Sequence, residues 1–134
     1  MRLSVFAIAT LCLATGSTVA QETAIEKGEA YFRRCLACHR VGDDAANTVG
    51  PVLNDVLGRQ AGTYPGYYYS EVMIDAGENG LIWTAQTFSK FIASPRKFLP
   101  GNKMTFAGVR NAEDRANLIA YLRTLSPGYV PPAK

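Results

Sequence analysis

The stretch Cys35-Leu36-Ala37-Cys38-His39 places two thiols three positions apart and an imidazole directly after the second thiol. This C-x-x-C-H spacing is typical of covalent haem attachment, because two thiols on one helical turn can reach the two vinyl groups of one porphyrin edge. The imidazole of His39 would then lie under the ring and ligate the iron. The motif therefore predicts one haem bound by Cys35, Cys38 and His39.

The first residues have the composition of a secretory signal peptide. Arg2 gives a short positive start, residues 3–13 are mostly apolar, and Thr18-Val19-Ala20 forms a small-residue cleavage site before Gln21. The apolar run is shorter than the roughly 20 residues of a membrane-spanning helix. We expect residues 1–20 to be cleaved, leaving one exported domain over residues 21–134. This predicts a periplasmic protein without stable membrane insertion, with an uncleaved anchor as the alternative.

Other chemistries for the motif fit the rest of the chain less well. A structural zinc site needs four ligands. The chain has 3 cysteines and 1 histidine, and Cys12 lies in the predicted leader. A redox dithiol of the thioredoxin type accompanies a βαβ pattern, and no stretch of this sequence alternates like a strand. A chance motif without function stays open at this point.

Composition indicates a single globular domain. The chain has 134 residues, of which 48% are hydrophobic and 19% charged, and its formal net charge is +3. Arg2 contributes one of these charges and lies in the predicted leader, so the remainder is close to neutral. Bulk charge therefore gives no support for nucleic-acid binding. Any electrostatic role must come from local clusters of charge.

The apolar pattern predicts short helices joined by long loops, and no strand. We expect a first helix from Ala24 to Cys35, a loop over 42–66 and a short helix over 67–76. A further helix is capped by Thr84 and ends near Ser94, a turn follows over 96–99, and Asn111 caps the last helix. Loops of this length cannot build a large core alone. A bulky apolar group at the centre would resolve this, because loops and helices could wrap around it.

The second axial ligand of the iron must come from a methionine, since the chain has no other histidine. Met73 lies in a predicted helix, where a methionine usually packs in the core. Met104 lies in the irregular segment from Pro100 to Phe106, where a side chain can point inward. Position and elimination favour Met104, and core packing is the alternative for both residues.

The chain resembles the class I c-type cytochromes, most closely bacterial cytochromes c2 and mitochondrial cytochrome c. The resemblance covers residues 24–126. It is carried by Cys35 to His39, Thr48-Val49-Gly50-Pro51, Gly58-Arg59, Leu81-Ile82-Trp83, Pro100 to Gly108, and Leu118-Ile119-Ala120-Tyr121-Leu122. It implies an all-α class I cytochrome c fold around one covalently bound haem c. It also implies thioether bonds to Cys35 and Cys38 and an axial pair of His39 and Met104.

The resemblance implies roles for further residues. The Pro51 carbonyl is expected to accept a hydrogen bond from the His39 imidazole. Arg59, Tyr69 and Trp83 match positions that hydrogen-bond a buried haem propionate, although ordinary core packing is the alternative for both aromatic residues. Residues Gly28, Phe32, Leu118 and Tyr121 match the crossing of the first and last helices. Two departures stand out: Phe91 replaces a tyrosine that many relatives place near the methionine sulfur, and Asn102 replaces a threonine that mitochondrial forms place next to the propionate and a buried water.

A haem iron with both axial positions filled indicates a one-electron carrier and not an enzyme. The alternatives are an enzyme or sensor from which Met104 dissociates, and an electron-entry domain fused to a larger enzyme. Partners are expected to be redox proteins, and we expect a monomer. By position in the resemblance, a basic patch would dock these partners at the haem edge: Arg34, Arg96, Lys97, Lys103 and Arg110.

Overall fold

The computed structural model describes residues 16–133, and its regular structure is helical. Within that range lie five α-helices, named in chain order: α1 (Gly16–Phe32), α2 (Glu71–Glu78), α3 (Ala85–Ala93), α4 (Pro95–Phe98) and α5 (Ala112–Thr124). A 3₁₀ turn covers Cys35–Ala37. Strand-type pairing among these residues is limited to one bridge between Gln60 and Ile82. The predicted all-α class with long connections is confirmed.

Both ends of the first two predicted helices differ from the structure. Helix α1 begins at Gly16 and not at Ala24, and α2 ends at Glu78 and not at residue 76. The first helix ends at Phe32 and not at Cys35: the chain tightens there, and the Arg34 N–H donates to the Tyr31 carbonyl, three residues back, at 3.1 Å. The short helix begins at Glu71 and not at residue 67. Ser70, directly before it, has an extended backbone with φ −72° and ψ 151°, so the preceding residues approach α2 as a loop. The predicted turn over 96–99 is the short helix α4.

The predicted caps of α3 and α5 are confirmed. The Thr84 hydroxyl accepts a hydrogen bond from the Thr87 N–H at 3.1 Å, and the Thr87 hydroxyl accepts one from the Thr84 N–H at 2.8 Å. Asn111 Oδ1 accepts from the N–H groups of Glu113 and Asp114 at 2.7 and 3.2 Å. These side chains satisfy N–H groups that have no partner within the helix, which fixes where each helix begins.

The first and last helices pack closely at Gly28. A Cβ atom at this position would overlap the Asn117 carbonyl on α5. One turn further along, the rings of Phe32 and Tyr121 lie 5.3 Å apart between centroids. Leu118 on α5 is buried at the same crossing. A glycine is therefore required for the two backbones to approach, and the pair forms one wall of the core.

Replacing Gly28 with alanine should destabilise the protein. Helix propensity alone would favour alanine by about 1 kcal/mol. The overlap with backbone should outweigh this, because overpacking typically costs about 1–3 kcal/mol. Thermal unfolding should therefore show a lower Tm for Gly28→Ala. Gly128→Ala is the matched control, because a Cβ there meets no atom within 4 Å. Equal Tm values for both variants would contradict the close crossing.

Residues 1–15 of the predicted leader lie outside the described residues, and the cleavage point expected after Ala20 falls within α1. Side chains from Val19 to Thr23 are exposed, and burial begins around Ala24. Among the helices of residues 16–133, none has the length and apolar character needed to cross a bilayer.

Candidate functional site

A cavity of about 330 Å³ lies inside the fold. Its wall contains Cys35, Cys38, His39 and Met104, so the structure brings together the four side chains predicted to hold the haem. Much of the remaining wall is apolar and comes from the helices and from the loop before α2: Phe32, Leu53, Phe91, Ile92, Leu118 and Leu122. The space can therefore take a bulky apolar group with attachment points at its edge.

The His39 ring is fixed by the loop that follows it. His39 Nδ1 lies 2.7 Å from the Pro51 carbonyl oxygen. Because a carbonyl only accepts, Nδ1 carries the proton and Nε2 keeps a free lone pair. Burial lowers the pKa of His39, while the hydrogen bond to Pro51 acts in the opposite direction. The lowered pKa favours the neutral imidazole, the form that ligates a metal.

Gly50 makes room for this ring. A Cβ at Gly50 would lie 2.5–2.9 Å from three atoms of the His39 imidazole. The Gly50 N–H also donates to the Cys38 carbonyl at 2.7 Å, which ties the loop to the motif. Gly50 belongs to the stretch Thr48 to Pro51 that carries part of the family resemblance, but the sequence analysis gave it no role. Gly50 lies eleven positions after His39, so no local sequence pattern indicates that the two residues are in contact.

Cys35 and Cys38 do not form a disulfide with each other, and both are partly buried. Burial, with a smaller contribution from Cys38, raises the pKa of the Cys35 thiol to about 11. Redox dithiols work with a thiol whose pKa is lowered, because the thiolate is the reactive form. The Cys35 environment therefore disfavours a thioredoxin-type role.

Both described methionines line the cavity. Met73 lies on α2 and is buried, at 8% exposure, within the core. Met104 is partly buried and lies in the irregular segment between α4 and α5, where its N–H donates to Asn102 Oδ1 at 2.9 Å. Both sulfurs can therefore face a group bound in the cavity, and position at the wall does not decide which of them ligates the iron.

One part of the wall is polar. Arg59 donates to the carbonyls of Asn54 and Val52, at 3.0 and 3.2 Å, and burial lowers its pKa. No carboxylate within residues 16–133 forms an ion pair with it, since the single pair in that range joins Lys27 and Glu113. A guanidinium of this kind stays charged, so a second, anionic partner would stabilise it.

Ser70 lies in the same wall and was missed by the sequence analysis. Its hydroxyl oxygen is buried and has no hydrogen-bond partner within the described residues. Buried polar atoms without a partner are rare and indicate a missing group. Its position directly after Tyr69, a residue singled out from the resemblance, was the available signal.

Tyr69 and Trp83 also line the cavity. Burial raises the pKa of Tyr69, while nearby Arg59 acts in the opposite direction. Trp83 packs against Phe88 and Phe91, with centroid distances of 5.9 and 5.0 Å. Phe91, the residue that replaces a frequent tyrosine, is buried in this aromatic cluster and offers no hydroxyl to the cavity.

The five predicted docking residues occupy different places. Arg34 and Lys103 line the cavity and are exposed. Arg96 and Lys97 lie on α4, and Arg110 precedes α5; all three are exposed and none lines the cavity. The structure therefore brings two of the five residues to the cavity.

These residues fit a haem. The cavity wall holds an imidazole nitrogen and thioether sulfurs, which are groups that can ligate a haem iron, two thiols at attachment spacing, and apolar side chains that suit a porphyrin. The charged Arg59 and the unpartnered Ser70 hydroxyl suit the propionates. Fold and site together define a c-type haem protein.

Comparison with known proteins identifies the family. The cytochrome c family model matches residues 25–126. A cytochrome c2 from Agrobacterium tumefaciens (strain II Chrys) is 52% identical over 73% of this chain and 88% of its own length. One from Blastochloris viridis is 42% identical over 92% and 93%. The solved structure of cytochrome c2 from Rhodospirillum centenum aligns with a TM-score of 0.72 at 43% identity, covering 77% of this chain and 98% of that one.

The chain therefore belongs to the cytochrome c family, with cytochrome c2 homologues over most of its length. It is an electron carrier and not an enzyme. The C-x-x-C-H spacing of Cys35 and Cys38, in a member of this family, implies a covalently bound haem c. The predicted family, cofactor and non-enzymatic function are confirmed.

Proposed function

We propose that this protein carries single electrons between periplasmic redox proteins through a haem whose iron is bound by His39 Nε2 and Met104 Sδ. The observation that carries the proposal is the shared cavity wall: it is lined by Met104, by both thiols and by the His39 imidazole, whose Nδ1 lies 2.7 Å from the Pro51 carbonyl oxygen. When bound, the haem supplies a one-electron ferric–ferrous couple. A filled coordination sphere leaves no position for a substrate.

The protein's own groups set the properties of this couple. A thioether ligand raises the potential of a haem iron relative to imidazole or thiolate ligation. The hydrogen bond from His39 to Pro51 fixes the ring and raises its basicity. In this proposal the haem propionates would be held by the polar part of the wall: Arg59, Tyr69, Ser70 and Trp83. The apolar core around Leu118 and Leu122 keeps water away and limits rearrangement on electron transfer.

Partner docking in this proposal uses the exposed basic residues near the cavity. The Arg34 guanidinium lies 4.7 Å from the centre of the Tyr31 ring, and Lys103 Nζ lies 4.0 Å from the centre of the Tyr68 ring. Both charges are free of ion pairs within residues 16–133. Positive charge at the point of electron exit steers acidic partners and permits small, transient contacts.

This docking surface can be tested with two inorganic redox reagents of opposite charge. Ferrocyanide should reduce the ferric protein faster at low than at high ionic strength, because the local field attracts the anion and salt screens it. Cationic hexaammineruthenium(II) should show the opposite dependence. The double variant Arg34→Gln/Lys103→Gln should slow ferrocyanide by roughly two- to threefold at low salt.

Arg123→Gln is a control for ordinary surface charge, because Arg123 is exposed on α5 and does not line the cavity. It should change the ferrocyanide rate little. Rates that do not respond to ionic strength, or an equal effect of Arg123→Gln, would count against docking at this surface.

Export accounts for the periplasmic part of the proposal. The exposed side chains from Val19 to Thr23 support it, since cleavage after Ala20 would leave the core intact. The full chain, expressed in a bacterium that attaches haem to exported proteins, should appear in the periplasmic fraction. Its intact mass should correspond to a chain starting at Gln21 plus one haem. An uncleaved chain in the membrane fraction would show that the leader is an anchor.

A further inference from the structure

We propose that Asn102 is a positioning residue for Met104: its amide clamps the methionine segment to α4 and so resists replacement of the methionine at the iron. The inference rests on the proposed function, because it assumes that Met104 is the axial ligand.

All hydrogen-bonding atoms of the Asn102 amide are used within the chain. Its Nδ2 donates to the carbonyls of Pro95 and Leu99 at 3.0 and 2.6 Å. Its Oδ1 accepts from the Met104 N–H at 2.9 Å. One side chain thus joins both ends of the α4 turn to the backbone of the proposed ligand. The side chain is partly buried and borders the cavity.

Few other hydrogen bonds hold this segment in place. Within the described range, residues 103–108 form no hydrogen bond between backbone groups; the next such bond is from the Val109 N–H to the Ile92 carbonyl at 2.8 Å. The other tie is Lys103 Nζ to the Tyr68 carbonyl at 2.8 Å, and it is exposed. An exposed bond competes with water and contributes little. Met104 and Phe106 also pack against the core, so Asn102 is the main hydrogen-bond restraint on the Met104 backbone and not the only restraint.

The surrounding core does not supply a substitute. Met73 and Phe91 line the same cavity and are both buried, and neither carries a hydroxyl or amide group. If the Asn102 amide is removed, these side chains cannot take over its hydrogen bonds to the Met104 N–H and to the Pro95 and Leu99 carbonyls. The methionine would then leave the iron more readily.

Imidazole binding to the purified ferric holoprotein measures this directly, because an added imidazole must displace the methionine. The weak red charge-transfer band of sulfur-bound ferric iron reports the displacement. Asn102→Ala, which removes the whole amide, should bind imidazole roughly tenfold more tightly than the wild type. Asn102→Asp keeps an oxygen for the Met104 N–H but places an oxygen that cannot donate against the Pro95 and Leu99 carbonyls, and should tighten binding by roughly threefold or more.

Asn54→Ala is the matched control. Asn54 makes a similar clamp, with Oδ1 accepting from the Gly42 N–H at 2.9 Å and Nδ2 donating to the Gly42 carbonyl at 2.8 Å, yet it does not line the cavity. It should lower Tm without changing imidazole affinity. A general loss of stability would move both asparagine variants alike, whereas a positioning role moves Asn102 alone.

The outcomes separate the two claims. If the wild type lacks the charge-transfer band, methionine ligation is wrong and the inference is wrong with it. If the band is present and imidazole affinity is unchanged in Asn102→Asp and Asn102→Ala, ligation stands and the clamp is refuted. Should Asn102→Ala fail to accumulate as holoprotein, unchanged affinity in the near-isosteric Asn102→Asp variant is enough to refute it.

Discussion

Met104→Ala should convert the protein from a low-spin electron carrier into a high-spin or misligated haem protein. Removing the thioether opens one axial position, because the segment from Lys103 to Gly108 has no histidine to replace it. The ferric charge-transfer band should disappear. The reduction potential should fall by on the order of 0.1–0.2 V, part of the roughly 0.8 V range that axial ligands set. Optical spectra and a redox titration of the purified protein measure both effects.

Met73→Leu is the control for this experiment, since Met73 is the other sulfur at the cavity wall. Leucine keeps nearly the same volume, so the exchange should cost less than about 1.5 kcal/mol of stability. Band and potential should stay close to those of the wild type. If Met73→Leu loses the band while Met104→Ala keeps it, the axial ligand is Met73. An unchanged low-spin spectrum and potential in Met104→Ala would equally contradict the assignment.

The double variant Cys35→Ala/Cys38→Ala should no longer retain haem under denaturing conditions, and its haem-free form should be largely unfolded. The cavity measures about 330 Å³. At about 24 cal/mol per Å³, leaving that volume unfilled would cost about 8 kcal/mol as an upper bound, because part of the space opens to solvent. Small domains have a total stability of about 5–15 kcal/mol. The core therefore depends on what fills it.

Far-ultraviolet circular dichroism and thermal unfolding of the exported variant test this expectation. Cys35→Ala alone serves as an intermediate case, because it keeps one thioether at Cys38. Low helix content and no cooperative transition are expected for the haem-free double variant. A haem-free chain with wild-type helix content and Tm would show that the fold does not need its central group.

Features that depend on neighbouring residues could be predicted from the sequence. The C-x-x-C-H motif, the caps at Thr84 and Asn111, and the all-α class with long loops are local patterns. The first helix was predicted to reach Cys35, but it ends at Phe32, where the Arg34 N–H donates to the Tyr31 carbonyl three residues back in a tighter turn. Helical periodicity does not register such a change in hydrogen bonding.

Features that depend on contacts across the chain could not be predicted from the residues alone. The fit of Gly50 against the His39 ring and the unpartnered Ser70 hydroxyl appear only when the cavity wall is assembled. Asn102 was noted as a departure from relatives, but its clamp on α4 needs the positions of three backbone groups. The resemblance likewise indicated five basic residues, and only coordinates separate Arg34 and Lys103, at the cavity, from the others.

Acid–acetone extraction of the purified, exported protein, followed by its intact mass, tests the covalently held haem most directly. Acid breaks the iron–imidazole and iron–sulfur bonds, so only thioethers at Cys35 and Cys38 can keep the haem on the chain. We expect the precipitated protein to stay red, with a mass equal to the chain plus one haem. A bare-chain mass, with all the colour in the acetone, would contradict the covalent site on which the proposed electron transfer depends.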